Sequence, residues 1–201
     1  MTEKEIQRLL DMLDKKGLEE TKKFLLKEKN KSRNEKKVEV FEDYITNRLV
    51  KPNDISLNGT YYSEENGRLV YTNGISIYYV NPELKELLMP SILKHSTTNI
   101  IQNYYQRVRL MDNEKLSTIS KKVALYENSF TLAKFNRTVH GKSELLDVFL
   151  SKDDTEFIFS SREIMISNII LDNPEYEIGI HEPIIRASTQ LGKVYILGYK
   201  R

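Results

Sequence analysis

The sequence predicts an α+β protein, in which a helical segment up to about residue 51 precedes a mostly antiparallel β domain with two or three helices at residues 55–201. Before Pro52, apolar residues recur at steps of three and four, as on one face of a helix. After it they alternate along short runs rich in Tyr, Val and Ile, which is typical of strands. The boundary is predicted at Pro52 to Asp54, because the residue before a proline is disfavoured in the α conformation.

The N-terminal segment is predicted to contain three helices. Thr2 and Glu5 form a capping box at the start of the first, and Gly17 is a helix-ending residue. A polar stretch at residues 30–34 is predicted to interrupt the helical pattern again. The predicted helices cover residues 3–15, 19–30 and 35–49.

The β domain is predicted to begin with a three-stranded meander. Asn66-Gly67 and Asn73-Gly74 separate its strands, and Asn-Gly favours the type I′ turn that matches the twist of paired strands. The predicted strands cover residues 57–62, 69–72 and 75–80. Pro82 then begins a helical passage up to Leu110, which Pro90 and the polar residues around Thr97 divide into two pieces.

The remaining elements are predicted from short apolar runs and the turn residues between them. A second hairpin is expected at residues 122–126 and 130–135, and a short helix at 143–150 with Ser143 as its N-cap. Further strands are expected at residues 156–159, 163–170, 176–180, 184–187 and 194–199.

Charge is concentrated in one segment, although the 201 residues carry 31 Lys+Arg and 29 Asp+Glu and a net charge of only +2. Residues 22–37 contain eight basic and two acidic residues, a net charge of +6. Such a segment can bind the phosphates of a nucleic acid by releasing counterions. The alternative is a helix face that is simply solvated. The candidate nucleic-acid-binding residues are Lys22, Lys23, Lys27, Lys29, Lys31, Arg33, Lys36 and Lys37.

Tyrosine is the second distinctive feature, with 12 residues in the chain and several of them in the predicted meander. On alternating strand positions, half of them would face outward and could contact a protein or stack on bases. The alternative is ordinary aromatic packing between strands. The candidate partner-binding residues are Tyr61, Tyr62, Tyr78 and Tyr79.

Catalytic chemistry is not predicted, and no catalytic residue, metal ligand or cofactor is assigned. The chain has no Cys, and His95, His140 and His181 are isolated from one another. Phosphate-binding glycine motifs and a G-x-S-x-G motif are absent. Carboxylate pairs lie at predicted turns, where exposure explains them, but a metal-dependent nuclease with scattered acids stays open. With no long apolar run and no signal-like start, we expect a cytoplasmic protein without a membrane partner.

Two segments resemble parts of DNA sliding-clamp domains. Residues 69–74 followed by an alternating strand look like a clamp strand-turn-strand, and residues 182–185 with 193–201 are similar to a clamp's closing hairpin. The resemblance covers residues 55–201 and implies a processivity-type fold without an active site, with helices facing DNA and the outer sheet meeting partners. Asn73 replaces the usual acid of the turn, and residues 83–110 are long for a clamp helix. One such domain could close a ring only as a homo-oligomer.

The basic helical segment ahead of a small sheet domain also resembles proteins of phages and mobile elements. We therefore expect a non-enzymatic, nucleic-acid-associated protein, clamp-like or an accessory of DNA metabolism. The alternative is a protein-interaction module that inhibits or modulates a host enzyme or a defence complex.

Overall fold

The computed structural model describes residues 3–49, 60–96, 108–111, 113–127, 129–180 and 182–200. It confirms the α+β class, with a long N-terminal helix followed by mostly antiparallel strands and further helices. The chain divides into two compact units between Lys37 and Val38. The boundary predicted at residues 52–54 lies outside the described residues.

The first helix, α1 (Glu3–Leu49), is interrupted at Gly17, whose φ of 77° and ψ of 171° are not helical. The Arg8 guanidinium lies 5.3 Å from the centre of the Phe24 ring. Sixteen residues would separate these groups by about 24 Å along a straight helix, so the chain must reverse at Gly17 and form a helical hairpin. The helix end predicted at Gly17 is confirmed, because the helical backbone is broken there. The break predicted at residues 30–34 is wrong, because these residues are helical between strong helix formers.

The predicted meander is confirmed as β1 (Thr60–Glu65), β2 (Arg68–Thr72) and β3 (Ser76–Val80), but β1 ends three residues later than predicted. Asn66 and Gly67 have φ values of 51° and 77°, the two positive values that a type I′ turn needs. At the second turn the Asn73 side chain accepts hydrogen bonds from the backbone N–H groups of Ile75 (3.0 Å) and Ser76 (2.8 Å). Asn73 is not among the described residues with positive φ, although Gly74 is, so the type I′ turn predicted at Asn73-Gly74 is wrong and Asn73 acts there through its side chain.

The other described elements follow in chain order. They are α2 (Pro82–Ser96), β4 (Val108–Leu110), α3 (Asn113–Tyr126), β5 (Phe130–Leu132), β6 (Lys134–His140), β7 (Leu145–Leu150), β8 (Glu156–Ser160), α4 (Ser161–Leu171), β9 (Glu175–Gly179), β10 (Ile184–Thr189), β11 (Gly192–Leu197) and β12 (Tyr199–Lys200). An eight-stranded sheet, called the large sheet here, has the order β4-β1-β2-β3-β11-β10-β9-β5. A four-stranded sheet has the order β12-β8-β7-β6.

Three element predictions are wrong. Residues 122–126 end the helix α3, so β5 pairs with β9 and forms no hairpin with them. Residues 145–150 form the strand β7, which pairs on both sides, with β6 and β8. Residues 163–170 lie in α4, which is largely buried and therefore apolar on most sides. A short buried helix and a buried strand have similar apolar runs, and the sequence pattern does not separate them.

The second piece of the helical passage, beyond Ser96, lies mostly outside the described residues.

The hydrophobic core lies on one face of the large sheet. It joins the last part of α1, from Val38 onward, with α2, α4 and inward-facing strand residues. Phe41 of α1 contacts the rings of Tyr71 and Tyr78 edge-on, with centres 5.2 Å and 6.2 Å apart. The end of α1 is thus part of the second compact unit.

Candidate functional site

The predicted basic residues lie on α1. Seven of the eight are exposed, and Lys37 is the exception, with only 3% of its surface accessible. Lys37 is therefore not available for a phosphate contact in this structure. Arg33 interacts with another group of the protein. The six remaining lysines are Lys22, Lys23, Lys27, Lys29, Lys31 and Lys36.

Helix geometry sorts these six lysines into two rows. Lys22, Lys29 and Lys36 follow at seven-residue intervals, about 10.5 Å apart along the axis, and we call them the seven-residue row. Lys23, Lys27 and Lys31 follow at four-residue intervals, about 6 Å apart, and we call them the four-residue row. Each row lies within one side of the helix, because residues four or seven apart are close in angle.

Within the part of the chain that the structure describes, the lysines of both rows form no ion pair. Cations from Val38 onward often do: Lys85 binds Glu64, Lys94 binds Glu42, and Arg137 lies 2.8 Å from Glu156. A pair of opposite charges has little field at a distance, whereas a run of unpaired lysines produces a positive potential along the helix.

The four predicted tyrosines do not form one surface. The strand register places Tyr62 and Tyr78 on the core face of the large sheet and Tyr61 and Tyr79 on the other face. Tyr78 is 1% exposed and lies in the core, so it cannot contact a partner in this structure. Tyr62 is half-buried against the core. The packing alternative explains Tyr62 and Tyr78.

No metal centre is found among the described residues, where no group of three or more His, Asp or Glu residues could hold an ion. His95 lies 3.8 Å from Glu42, His140 is exposed, and His181 lies outside the described residues. None of the helices that the structure describes combines the length and apolar composition needed to cross a membrane.

A buried polar cluster, which sequence reasoning missed, links three elements of the core. It consists of Tyr44, Asn73, Ser76 and Glu163 and is called the polar core cluster here. The Glu163 carboxylate is fully buried and accepts hydrogen bonds from the hydroxyls of Tyr44 and Ser76, the latter at 2.6 Å. Burial raises the pKa of Tyr44 well above its usual range, so its hydroxyl stays a donor.

A cleft on the other face of the large sheet was also missed. It has a volume of about 360 Å³ and lies between α3 and the strands β1, β2, β3 and β11. At one side, Glu127 Oε1 accepts hydrogen bonds from Lys193 (2.8 Å) and Tyr195 (2.5 Å). The hydrogen bond from Lys193 is the main reason that the pKa of Glu127 lies below its usual range. The predicted strand at residues 122–126 concealed this cleft, because α3 forms one of its walls.

Comparison with known proteins identifies no relative: no family model, no curated protein and no solved structure matches the chain.

Proposed function

We propose that the protein binds nucleic acid without catalysing a reaction on it, and that the lysines of α1 contact the phosphates. The main observation that supports this proposal is the set of six exposed lysines in two rows, which lack carboxylate partners among the described residues. The wider context, an accessory of DNA metabolism such as a sliding clamp or a phage or mobile-element protein, comes from the sequence resemblance and stays a prediction.

Repulsion within the four-residue row supports this proposal. Lys23, Lys27 and Lys31 are like charges at i, i+4 spacing, an arrangement that costs an isolated helix about 0.2–0.5 kcal/mol per pair. A polyanion would relieve this repulsion because each phosphate neutralises one ammonium group. Mobile lysine side chains also contact a phosphate as point charges, without the fixed geometry that specific recognition of bases needs. The expected binding is therefore only weakly dependent on sequence.

The proposal is tested by fluorescence anisotropy with labelled duplex DNA, single-stranded DNA and RNA at one fixed salt concentration. The triple variant K23Q/K27Q/K31Q removes the four-residue row while keeping good helix formers. We expect it to bind at least tenfold more weakly than the unmodified protein.

The matched control removes the same number of charges elsewhere. Lys134, Lys142 and Lys152 are exposed and lie in or beside the four-stranded sheet, and K134Q/K142Q/K152Q lowers the net charge equally. We expect its affinity to fall less than threefold. If both triple variants lose affinity equally, net charge alone explains the binding and the assignment to α1 is wrong.

A second candidate is the protein-interaction module, in which the helical segment is the interface. Leu18, Leu25 and Leu26 of α1 are exposed, and apolar side chains beside lysines can dock on an acidic, apolar partner. Binding would then depend on the leucines. Under this alternative, L18A/L25A/L26A would abolish stoichiometric capture of a host protein while leaving DNA affinity unchanged.

A further inference from the structure

The middle of α1 is exposed on every side. Residues 25–36 are all exposed, whereas a helix that packs on a core has a buried stripe along one face. The helical segment between Lys22 and Lys36 is about 21 Å long, and an α-helix with its side chains is about 10–12 Å across. A helix with these dimensions can lie inside a groove of a ligand and contact it on more than one side.

The two lysine rows lie on nearly opposite sides of this helix. Lys27 and Lys29 are the middle residues of the four-residue row and the seven-residue row. They are two positions apart, which separates them by about 160° around the helix axis, because successive residues are rotated by about 100°. A flat surface would therefore meet only one row at a time. A ligand that contacts both rows must have negative charge on two sides of the helix.

One of the two faces between the rows is turned toward the rest of the helical hairpin, and we call it the back face. Phe24 lies on it and contacts Arg8 of the preceding arm of the hairpin. Glu28 and Glu35, the two acidic residues of the segment 22–37, lie within about 40° of Phe24 around the axis. Phosphates on the opposite side of the helix would therefore lie away from these carboxylates.

The other face between the rows, called the front face here, has Leu26 and Asn30 at its centre, and both are exposed. Their side chains are uncharged and shorter than lysine, so the helix can approach the floor of a groove while the lysines on its two flanks reach the walls. The major groove of B-form DNA matches this arrangement. It is about 12 Å wide and admits an α-helix, and the phosphates of one strand run along each wall.

We propose that α1 enters the major groove of duplex DNA with its front face toward the bases, and that the two lysine rows contact the phosphates of the two strands. This inference rests on the proposed function and narrows the ligand to B-form DNA. The major groove of an A-form RNA duplex is deep and narrow, so the same helix would not fit there. A single strand offers no second wall of phosphates to the second row.

The test measures the salt dependence of binding to a short DNA duplex by fluorescence anisotropy. It compares K22Q/K29Q/K36Q, which removes the seven-residue row, with the triple variant of the four-residue row described above. If all three lysines of a row contact phosphates, each variant should make the slope of log K against log salt concentration shallower by about 2.7. An RNA duplex of the same sequence should bind at least tenfold more weakly, and a titration at high protein concentration should give one DNA duplex per chain.

The matched control is E28Q/E35Q, which changes charge on the back face and should keep the original slope. The inference is overturned, while the proposed function stands, if only one row affects the slope, if the RNA duplex binds as tightly as the DNA duplex, or if one chain binds two duplexes. If the unmodified protein binds no nucleic acid, the proposed function fails as well.

Discussion

Charged side chains have different surroundings in the two compact units: many are held by partners in one, and the lysine rows of the other are exposed. From Val38 onward, Glu163 is fully buried in a hydrogen-bonded cluster, and Arg186 is held by Glu177. In α1 before Val38, the two lysine rows are exposed and lack ion pairs among the described residues. The net charge of +2 describes neither region. Charged groups that stabilise the fold are held by hydrogen-bond or ion-pair partners, so the charges left for an external ligand are those that the fold does not use.

The largest effect should come from the polar core cluster. Glu163→Ala removes the acceptor for the hydroxyls of Tyr44 and Ser76, and each buried donor left unpaired costs about 1–3 kcal/mol. We expect the free energy of unfolding to fall by roughly 2–6 kcal/mol in urea denaturation followed by circular dichroism. Glu163→Gln keeps an oxygen acceptor, so its free energy of unfolding should fall less than that of Glu163→Ala. A loss under about 1 kcal/mol for Glu163→Ala would show that the cluster does not stabilise the fold.

A smaller effect should come from Arg186, whose Nε and Nη2 atoms donate to Glu177 Oε2 at 2.9 Å and 2.6 Å. Its guanidinium also lies 4.3 Å from the centre of the Phe130 ring. We expect Arg186→Gln to lower the free energy of unfolding by about 1–2 kcal/mol.

Arg137→Gln is the control for Arg186→Gln, because Arg137 also pairs with a carboxylate, Glu156, at 2.8 Å. The Arg137 side chain is 43% exposed, against 13% for Arg186. An exposed pair is worth less than about 1 kcal/mol. Equal losses for the two variants would contradict the difference in burial on which the comparison rests.

A third effect should depend on pH. The pKa of Glu127 is lowered in the folded protein, so its contribution to stability is complete above the unfolded pKa and is lost as the pH falls through the folded pKa. The side chain is 38% exposed, which limits the contribution to under about 1 kcal/mol. The melting temperatures of the unmodified protein and Glu127→Gln should differ at about pH 6 and converge toward about pH 3. A difference that stays constant over this interval would exclude the Glu127 carboxylate as its cause.

The smallest effect on stability should come from the lysine rows. K23Q/K27Q/K31Q removes repulsion between like charges and no ion pair among the described residues, so the free energy of unfolding should stay within about 0.5 kcal/mol or rise slightly. Urea denaturation measures this directly. A loss above about 1 kcal/mol would show that these lysines stabilise the helix, contrary to the comparison.

Local signals in the sequence predicted the α+β class and the meander, since Asn-Gly turns and alternating Tyr and Val residues act over a few positions. A strand was predicted where α4 lies, and a helix was predicted where β7 lies. Both elements are short apolar runs, and their conformation depends on tertiary contacts. The basic segment could be identified from the sequence because its lysines lie close together along one helix. The polar core cluster joins Tyr44 to Glu163, which are 119 positions apart, and only the fold brings such residues together.

The central claim, that the lysines of α1 contact phosphates, is tested most directly by the salt dependence of duplex binding. Each lysine–phosphate contact contributes about 0.9 to the slope of log K against log salt concentration. If all three lysines of the four-residue row contact phosphates, the slope for K23Q/K27Q/K31Q should be shallower than that of the unmodified protein by about 2.7. K134Q/K142Q/K152Q should keep the original slope. An unchanged slope for K23Q/K27Q/K31Q would contradict the claim.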